Sequence, residues 1–473
     1  MQQHTAFIFE KYHFDPAEGK IELQYSLDGD VKFTETLLLP APQRPAFAEA
    51  TVGRPSAPAP SFDPALFALH LAGGVSYYKT CCPKHIEIKS GSLTEKEASF
   101  WNTLYENGLG EFFFKNKIDF RGLIHFPSLT PTPTLTLPQE NQNSKNPRRI
   151  LVPTGGGKDS LVTIEMLKAQ GFEITLLRMG HHPLIDRIAE TAGLPLLTVD
   201  RHLSPALFKL NEQGALNGHV PITAYLSFVA LIVAMLHDFD AVVLSNERSA
   251  NFGNLQYLDR EINHQWSKSV EFERMLQNYL KESIDTEIEM FSLLRPLSEL
   301  GIVQEFSKYP KYFSLATSCN KNWKILKHQS VGFVPGQDAS PLSRWCGSCP
   351  KCAFVFALYA AFIPKATTEK IFGKNLFNDA SLEPLYRELL GLQGFKPFEC
   401  VGTPDETKAA FLLAHKRGDL EDTVMMQTFL KEVFPKISDP EKLIANSLKL
   451  SDDHAIPESF CFVCEPRDEV PLL

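Results

Sequence analysis

The segment that most constrains this chain is Thr154-Gly155-Gly156-Gly157-Lys158-Asp159-Ser160. It lies between the apolar run Ile150-Leu151-Val152 and an apolar-striped segment, Leu161–Gln170, that ends at Gly171. A short apolar run reads as a buried strand and a striped segment as a helix, so the glycines make a strand-to-helix turn. Glycine lets the backbone bend sharply and approach an anion with no Cβ in the way. The helix start that follows offers unpaired N–H groups and a positive dipole end. Ser160 adds a hydroxyl, Lys158 a charge, and Asp159 a carboxylate suited to Mg²⁺. The loop is not a Walker A motif, because four residues do not separate its glycines and Asp159 follows Lys158 where Ser or Thr would stand; nor is it GxGxxG. A tight turn without a ligand is the competing reading. Three glycines followed by Lys-Asp-Ser at such a junction count against it.

The alternation of strand and helix continues downstream. Ile174–Met179 and Leu196–Val199 read as strands and His182–Thr191 as a helix. An apolar helix within 222–236 leads to a strand at Ala241–Ser245. This pattern predicts an α/β fold with a parallel, doubly wound sheet. Val220–Leu236 carries no charge. It is short for a membrane span and holds Pro221, Thr223, Tyr225 and Ser227, so it reads as a buried core helix. Three alternating runs open the chain, at Phe7–Phe14, Ile21–Tyr25 and Val31–Leu37, with Glu35 falling on the apolar face of the third. Helices are expected at Pro64–His70 and Glu95–Tyr105, the second opened by the capping box Thr94-x-x-Glu97. The expected division is an N-terminal α+β domain over 1–126, a Pro-rich and polar linker over 127–149, the loop-bearing domain over 150–366, and a helical C-terminal region over 367–473.

Charge and cysteine usage narrow the function. Asp and Glu number 56 against 47 Lys and Arg, a formal charge of −9. An acidic surface repels phosphate backbones, so no nucleic-acid partner is expected, while a local basic pocket is allowed. Met1–Glu10 lacks the basic and apolar pattern of a secretory signal, and no membrane association is expected. Nine cysteines therefore read as cytoplasmic thiols rather than a disulfide framework. Cys346-Gly-Ser-Cys349-Pro-Lys-Cys352, with Cys319 upstream, offers four thiolates, which suit a structural Zn²⁺; an iron–sulfur cluster and free thiols are the alternatives. Cys461-x-x-Cys464 reads as incidental thiols and Cys81-Cys82 as core.

The glycine loop resembles the PP-loop of the ATP pyrophosphatase superfamily, usually Ser-Gly-Gly-x-Asp-Ser, with Thr154 for the first serine and one extra glycine. The resemblance implies ATP cleaved between its α and β phosphates to give an adenylated substrate and pyrophosphate. The middle of the chain is also similar to the cyano-deazaguanine synthases, at Val220-Pro221-Ile222-Thr223, Arg295-Pro296-Leu297, Ser318-Cys319 and Cys346–Cys352. That match breaks at Thr223-Ala224, where the family has Arg-Asn. Four stretches in order, Gly74-Val75-Ser76-Tyr77-Tyr78-Lys79, Asn107-Gly108-Leu109-Gly110-Glu111-Phe112, the glycine loop, and Lys396-Pro397-Phe398-Glu399-Cys400-Val401-Gly402-Thr403, resemble the UDP-N-acetylmuramoyl-L-alanyl-L-glutamate epimerase family over nearly the whole chain. The resemblance implies conversion of the terminal L-Glu of this peptidoglycan precursor to D-Glu, with ATP and Mg²⁺. A PP-loop enzyme modifying a nucleobase or tRNA is the first rival, and a non-catalytic module built on zinc the second.

The resemblance, together with the residues' own chemistry and their positions at strand ends and loops, sets expectations for individual residues, although no motif fixes the acid and base groups. Thr154, Gly155, Gly156, Gly157, Lys158, Asp159 and Ser160 would hold ATP, with Met179, Gly180 and His181 at the next strand end. Asp159 and Glu247 would hold Mg²⁺. Glu399, Cys400, His182 and Lys158 are the candidates for catalysis. Arg248, Arg260, Lys268 and Arg295 would meet the anionic groups of the substrate, and Tyr77 and Tyr78 its rings. Each of these also has a bland reading as a surface charge, a helix-start residue or core.

Overall fold

The computed structural model describes residues 4–41, 62–129, 148–321 and 344–465; residues 130–147 of the expected linker lie outside them. The described residues form eleven strands: β1 (Ala6–Asp15), β2 (Lys20–Leu27), β3 (Val31–Leu38), β4 (His85–Ile88), β5 (Arg149–Pro153), β6 (Glu173–Met179), β7 (Leu196–His202), β8 (Ala241–Leu244), β9 (Leu255–Tyr257), β10 (Arg260–Ile262) and β11 (Glu289–Ser292). Nine of them make one sheet in the order β11-β8-β5-β6-β7-β3-β2-β1-β4, and β9 and β10 form a separate hairpin.

The five strands from β11 to β7 are parallel. Their apolar runs feed both faces, as the two-residue period of a strand requires. Ile150, Val152, Ile174, Leu176 and Val243 join one core, while Leu151, Leu177, Val242 and Leu244 join the other. The first core contains the helices Lys158–Ala169, Glu299–Phe306 and Pro350–Phe362. The second contains Ile222–Leu236 and Asp63–Tyr78. A sheet covered on both faces explains why its strands are apolar throughout rather than alternating. The uncharged stretch around Ile222–Leu236 is a buried 15-residue helix. Among the described residues no helix is long and apolar enough to cross a membrane.

The N-terminal strands extend this same sheet. β1, β2 and β3 form an antiparallel meander, and β3 pairs antiparallel with β7 through Thr36–His202, Leu37–Arg201 and Leu38–Asp200. Glu35, which breaks the apolar pattern of β3, lies at this seam and is fully buried. Its carboxylate accepts hydrogen bonds from Arg201 Nε (2.9 Å) and Nη2 (3.1 Å), Tyr77 Oη (2.9 Å) and Tyr225 Oη (2.6 Å). A buried charge with four donors is a satisfied one. The capping box at Thr94 and Glu97 is present and opens the helix Glu95–Gly108. At the other end of the chain, helix Pro404–Arg417 packs beside Pro350–Phe362 in the first core, and Pro440–Leu448 packs on Pro404–Arg417 and Glu299–Phe306.

Candidate active site

The five parallel strands, taken in chain order, run 3-2-1-4-5 across the sheet. β5 and β8 are neighbours whose onward connections leave in opposite directions, and the crevice at their C-terminal ends is where open α/β sheets bind ligands. The glycine loop sits there. Thr154 N–H donates to Leu177 O (2.8 Å), which registers the loop on the end of β6. Gly156 turns the chain with φ +77°, a conformation that side chains with a Cβ rarely adopt. Thr154 Oγ1 donates to Ser160 Oγ (3.0 Å), and Ser160 Oγ donates to Gly157 O (3.0 Å). The helix Lys158–Ala169 starts at Gly157 with no side-chain cap, so its first N–H groups remain for an anion.

A cavity of about 450 Å³ opens over this loop. Gly155, Gly157, Asp159 and Ser160 line it from the loop and helix start after β5, Arg178 and Met179 from β6, and Ser245 and Asn246 from just past β8. Lys268, Thr317, Asn320, Lys351 and Cys400 complete the lining, with Thr317 N–H donating to Gly156 O (2.9 Å). The loop expected to hold a nucleotide and one of the expected catalytic residues therefore share one chamber.

Cys400 stands in a cage of cations. Lys268 Nζ lies 3.4 Å from its Sγ, and His264 Nε2 lies 4.0 Å away, at the outer limit for sulfur. His264 Nδ1 bonds the buried Glu111 carboxylate, which also takes Lys115 and lies 3.5 Å from His219 Nδ1. Burial by itself would push the Cys400 thiol up. Lys268, then His264 and Lys351, outweigh that and bring it down to about 5. Burial acts against the charge of His264 too, but hydrogen bonds to Cys400 and Glu111 hold the imidazolium up to about 9. Both His264 nitrogens face an anion, so both carry protons. Asn254 fixes the geometry: its Nδ2 donates to Lys396 O and Pro397 O on the Cys400 loop, and its Oδ1 accepts from His264 N–H.

Behind the glycine loop lies a second charged group. Glu299 is buried between Lys158 and Lys351 and pairs with both. Burial would raise its pKa, and the two ammonium groups hold it below the usual carboxylate range. Lys351 also donates to Cys400 O and thereby joins the two charged groups. Glu247 is buried nearby, and its carboxyl is pushed up, first by burial and then by the charge of Glu299.

The other expected residues divide. Asp159, Met179 and Lys268 line the cavity, and the Glu399 carboxylate accepts from Asn320 on its wall. Lys158 does not line it; this side chain turns into the protein toward Glu299 and Asp159. Gly180 forms the turn after β6 with φ +72° and donates to Val199 O (2.8 Å). His181 is exposed and leans on Arg178 and Asp200. His182 caps the helix Pro183–Ala192, its Nδ1 accepting from Leu184 N–H (3.2 Å), so it serves the helix start rather than the cavity. Arg248 donates to Lys449 O and Ser447 O, and Arg295, fully buried, donates to Glu247 O, Lys268 O and Glu273. Both tie segments of the fold together. Arg260 pairs with Glu106 away from the cavity. Tyr77 and Tyr78 are fully buried core residues, the first bonded to Glu35 and the second to Pro83 O. Each of these side chains has at least one partner within the protein, while the buried Arg295 Nε is left without one.

Cys319, Cys346, Cys349 and Cys352 converge, all four sulfurs lying within 4.8 Å of one another. A tetrahedral ion with metal–sulfur bonds of about 2.3 Å would set its sulfurs roughly 3.8 Å apart. The Cys346 and Cys352 sulfurs are 3.7 Å apart. The Cys461 and Cys464 sulfurs lie 3.1 Å apart, with His454 Nε2 3.4 Å from that of Cys464.

Sequence reasoning missed His264, Glu111, Lys351 and Glu299. Lys351 carried a signal, being the only charged residue inside the Cys349–Cys352 step. Glu111 and His264 lie 153 positions apart. Nothing local in either segment announces that they meet.

The MurL N-terminal domain matches residues 1–293 and the MurL C-terminal domain residues 315–443. The chain is 36% identical over 460 residues to the UDP-N-acetyl-alpha-D-muramoyl-L-alanyl-L-glutamate epimerase of Xanthomonas oryzae pv. oryzae, covering 96% of each chain. It is 37% identical over 439 residues to the enzyme of the same name from a Micromonospora species, covering 92% of each. A more distant likeness, 28% identity over 173 residues, links it to 7-cyano-7-deazaguanine synthase 2 of Sulfurisphaera tokodaii, across 29% of this chain and 38% of that one. With family models covering most of its length, and relatives alike from end to end, the chain belongs to the MurL family of UDP-N-acetylmuramoyl-L-alanyl-L-glutamate epimerases.

Proposed function

We propose that this protein epimerises the terminal L-Glu of UDP-MurNAc-L-Ala-L-Glu to D-Glu, after activating the α-carboxylate of that residue as an acyl-adenylate at the expense of ATP. The observation that carries the reading is the shared chamber: an anion-cradling loop and a cationic surface bearing Cys400 line one cavity of about 450 Å³. A free α-carboxylate resists loss of its α-proton, because the resulting enolate would be a dianion. Adenylation removes that charge and makes the carbonyl electron-withdrawing. A base on the chamber wall can then take the α-proton, and an acid can return one to the opposite face. Hydrolysis releases the inverted product, and AMP and pyrophosphate are the other products.

The chain's own groups divide this work. Ser160 and the first N–H groups of the helix Lys158–Ala169 receive phosphate oxygens, and Met179 lies against the adenosine. Asp159 and Glu247 supply hard carboxylate oxygens suited to Mg²⁺, which would screen the triphosphate charge. Lys268 and Lys351 give an acidic protein the local cationic surface that an anionic substrate needs. Four thiolates spaced as these are suit Zn²⁺ in a structural role. Such a zinc would fix the turn that carries Lys351.

The test is incubation with ATP, Mg²⁺ and the dipeptide nucleotide, scored for AMP, pyrophosphate and D-Glu. Substrate labelled with ¹⁸O in the terminal α-carboxylate should pass label to AMP. Absence of dipeptide-dependent AMP would reject the reading, and label retained wholly in the product would reject adenylation at that carboxylate.

A further inference from the structure

Abstraction of a proton from carbon favours a base of high pKa, and each unit given up costs tenfold in the equilibrium. The Cys400 cage works in the opposite sense. Lys268 Nζ at 3.4 Å and His264 Nε2 at 4.0 Å hold the sulfur as a thiolate near pH 5, which makes it a poor base for an α-proton. Nucleophilicity of a thiolate falls less steeply with its pKa than basicity does, and a low pKa makes it a good leaving group. Glu111, His264 and Cys400 stand in line as orienting carboxylate, imidazole and nucleophile, the order that unrelated folds use for acyl transfer. Cys400 also lines the chamber that contains the glycine loop, so an activated carboxyl formed there has a nucleophile at the wall.

We propose that Cys400 attacks the acyl-adenylate and carries the glutamyl unit as a thioester, on which inversion takes place. This inference rests on the adenylation reading above. The thiolate lone pair forms the S–C bond, the C–O bond to AMP breaks, and its electron pair leaves on the AMP phosphate. No proton moves in that step, since the sulfur begins as an anion. The thioester keeps the carbonyl electron-withdrawing while resisting water better than a mixed anhydride does. Forming it also removes the negative charge beside His264 Nε2, one of the two anions that hold that ring protonated. The imidazole can then release its proton to solvent and take the α-proton, while a proton from solvent returns to the opposite face of the α-carbon and leaves the ring protonated as it began. Water finally adds to the carbonyl, and the C–S bond breaks with its electron pair returning to Cys400. The product leaves as a carboxylate, with two protons passing to solvent.

The full-length protein is mixed with ATP, Mg²⁺ and UDP-MurNAc-L-Ala-L-Glu, quenched in acid between milliseconds and seconds, and examined by intact-mass and peptide mass spectrometry. The expected result is a mass gain of substrate minus water on the peptide bearing Cys400, discharged by hydroxylamine as the hydroxamate and absent from Cys400→Ala. Lys268→Met should move the pH midpoint of adduct formation upward by more than one unit, a shift that a purely structural role would not produce. Dipeptide-dependent ATP–pyrophosphate exchange is followed in the same wild-type preparation. Exchange and D-Glu formation with no protein-bound acyl group at any quench time would overturn the thioester and leave adenylation standing. Turnover by Cys400→Ala within tenfold of wild type would do the same. Absence of exchange in the wild-type protein would instead remove the adenylation reading and the thioester with it.

Discussion

Glu35 offers a quantitative test of how the N-terminal meander is joined to the parallel sheet. Its carboxylate is fully buried, and the Arg201 side chain is only 9% exposed. Arg201 also lies over the Tyr225 ring, with the guanidinium carbon 3.9 Å from the ring centroid. Glu35→Gln keeps the shape and one acceptor oxygen but removes the charge, and it turns an NH₂ donor toward groups that are already donors. The guanidinium is then a buried cation without a counter-charge. Breaking a buried ion pair by removing one partner costs about 3–5 kcal/mol. Unfolding entropy of roughly 2.1 cal/mol/K per residue gives about 1 kcal/mol per degree for a chain of this length unfolding as one unit. The variant should therefore melt about 4 °C below wild type by calorimetry. Arg201→Met added to Glu35→Gln removes the stranded charge, so the double variant should recover at least half of that loss. A Glu35→Gln variant within 1 °C of wild type, or a double variant whose loss equals the sum of the singles, would refute the claim that this pair closes the seam.

Three further outcomes are expected. Alkylation of Cys400 by iodoacetamide, followed by peptide mass spectrometry, should have a rate constant that is flat from about pH 6 to 9 and falls below pH 5, because the thiolate form persists above its lowered pKa; an ordinary thiol instead gains about tenfold per pH unit up to its pKa of about 8.5. The double variant Cys349→Ser/Cys352→Ser should lose one equivalent of bound zinc by elemental analysis and lower the melting temperature. Ser160→Ala, with Asp159→Asn beside it, should reduce dipeptide-dependent ATP–pyrophosphate exchange by at least tenfold, with the fold intact by circular dichroism, since both side chains face the cavity.

Much of the scaffold was legible because its signals are local. The apolar runs of β5 to β8, the glycine loop and the Thr94 capping box each specify a backbone conformation within a few residues. The partners of polar side chains were less legible. Arg248, Arg295, Tyr77 and Tyr78 were expected at the substrate, and each has partners inside the protein that its sequence neighbourhood does not announce. A side chain's type states what it can bond, and only packing states what is left to bond. His182 shows the same limit: a histidine just past a strand end suits a ligand pocket, but here its Nδ1 caps a helix.

By itself the sequence determined the strand–loop–helix unit, the doubly covered sheet and the four-cysteine set, because hydrophobic period, glycine content and cysteine spacing act over short stretches of chain. It also flagged Glu35 as out of place without saying why. Tertiary structure alone decided that the meander continues the parallel sheet through β3 and β7. It alone brought Glu111, His264 and Lys268 together around Cys400. Those four come from three separate stretches of chain, and the electrostatics that make Cys400 a thiolate depend on separations of a few ångströms that no sequence interval encodes. Burial raises the cost of every charge in that cage, so the reactivity of the cysteine is a property of the fold and not of the Glu-Cys motif that carries it.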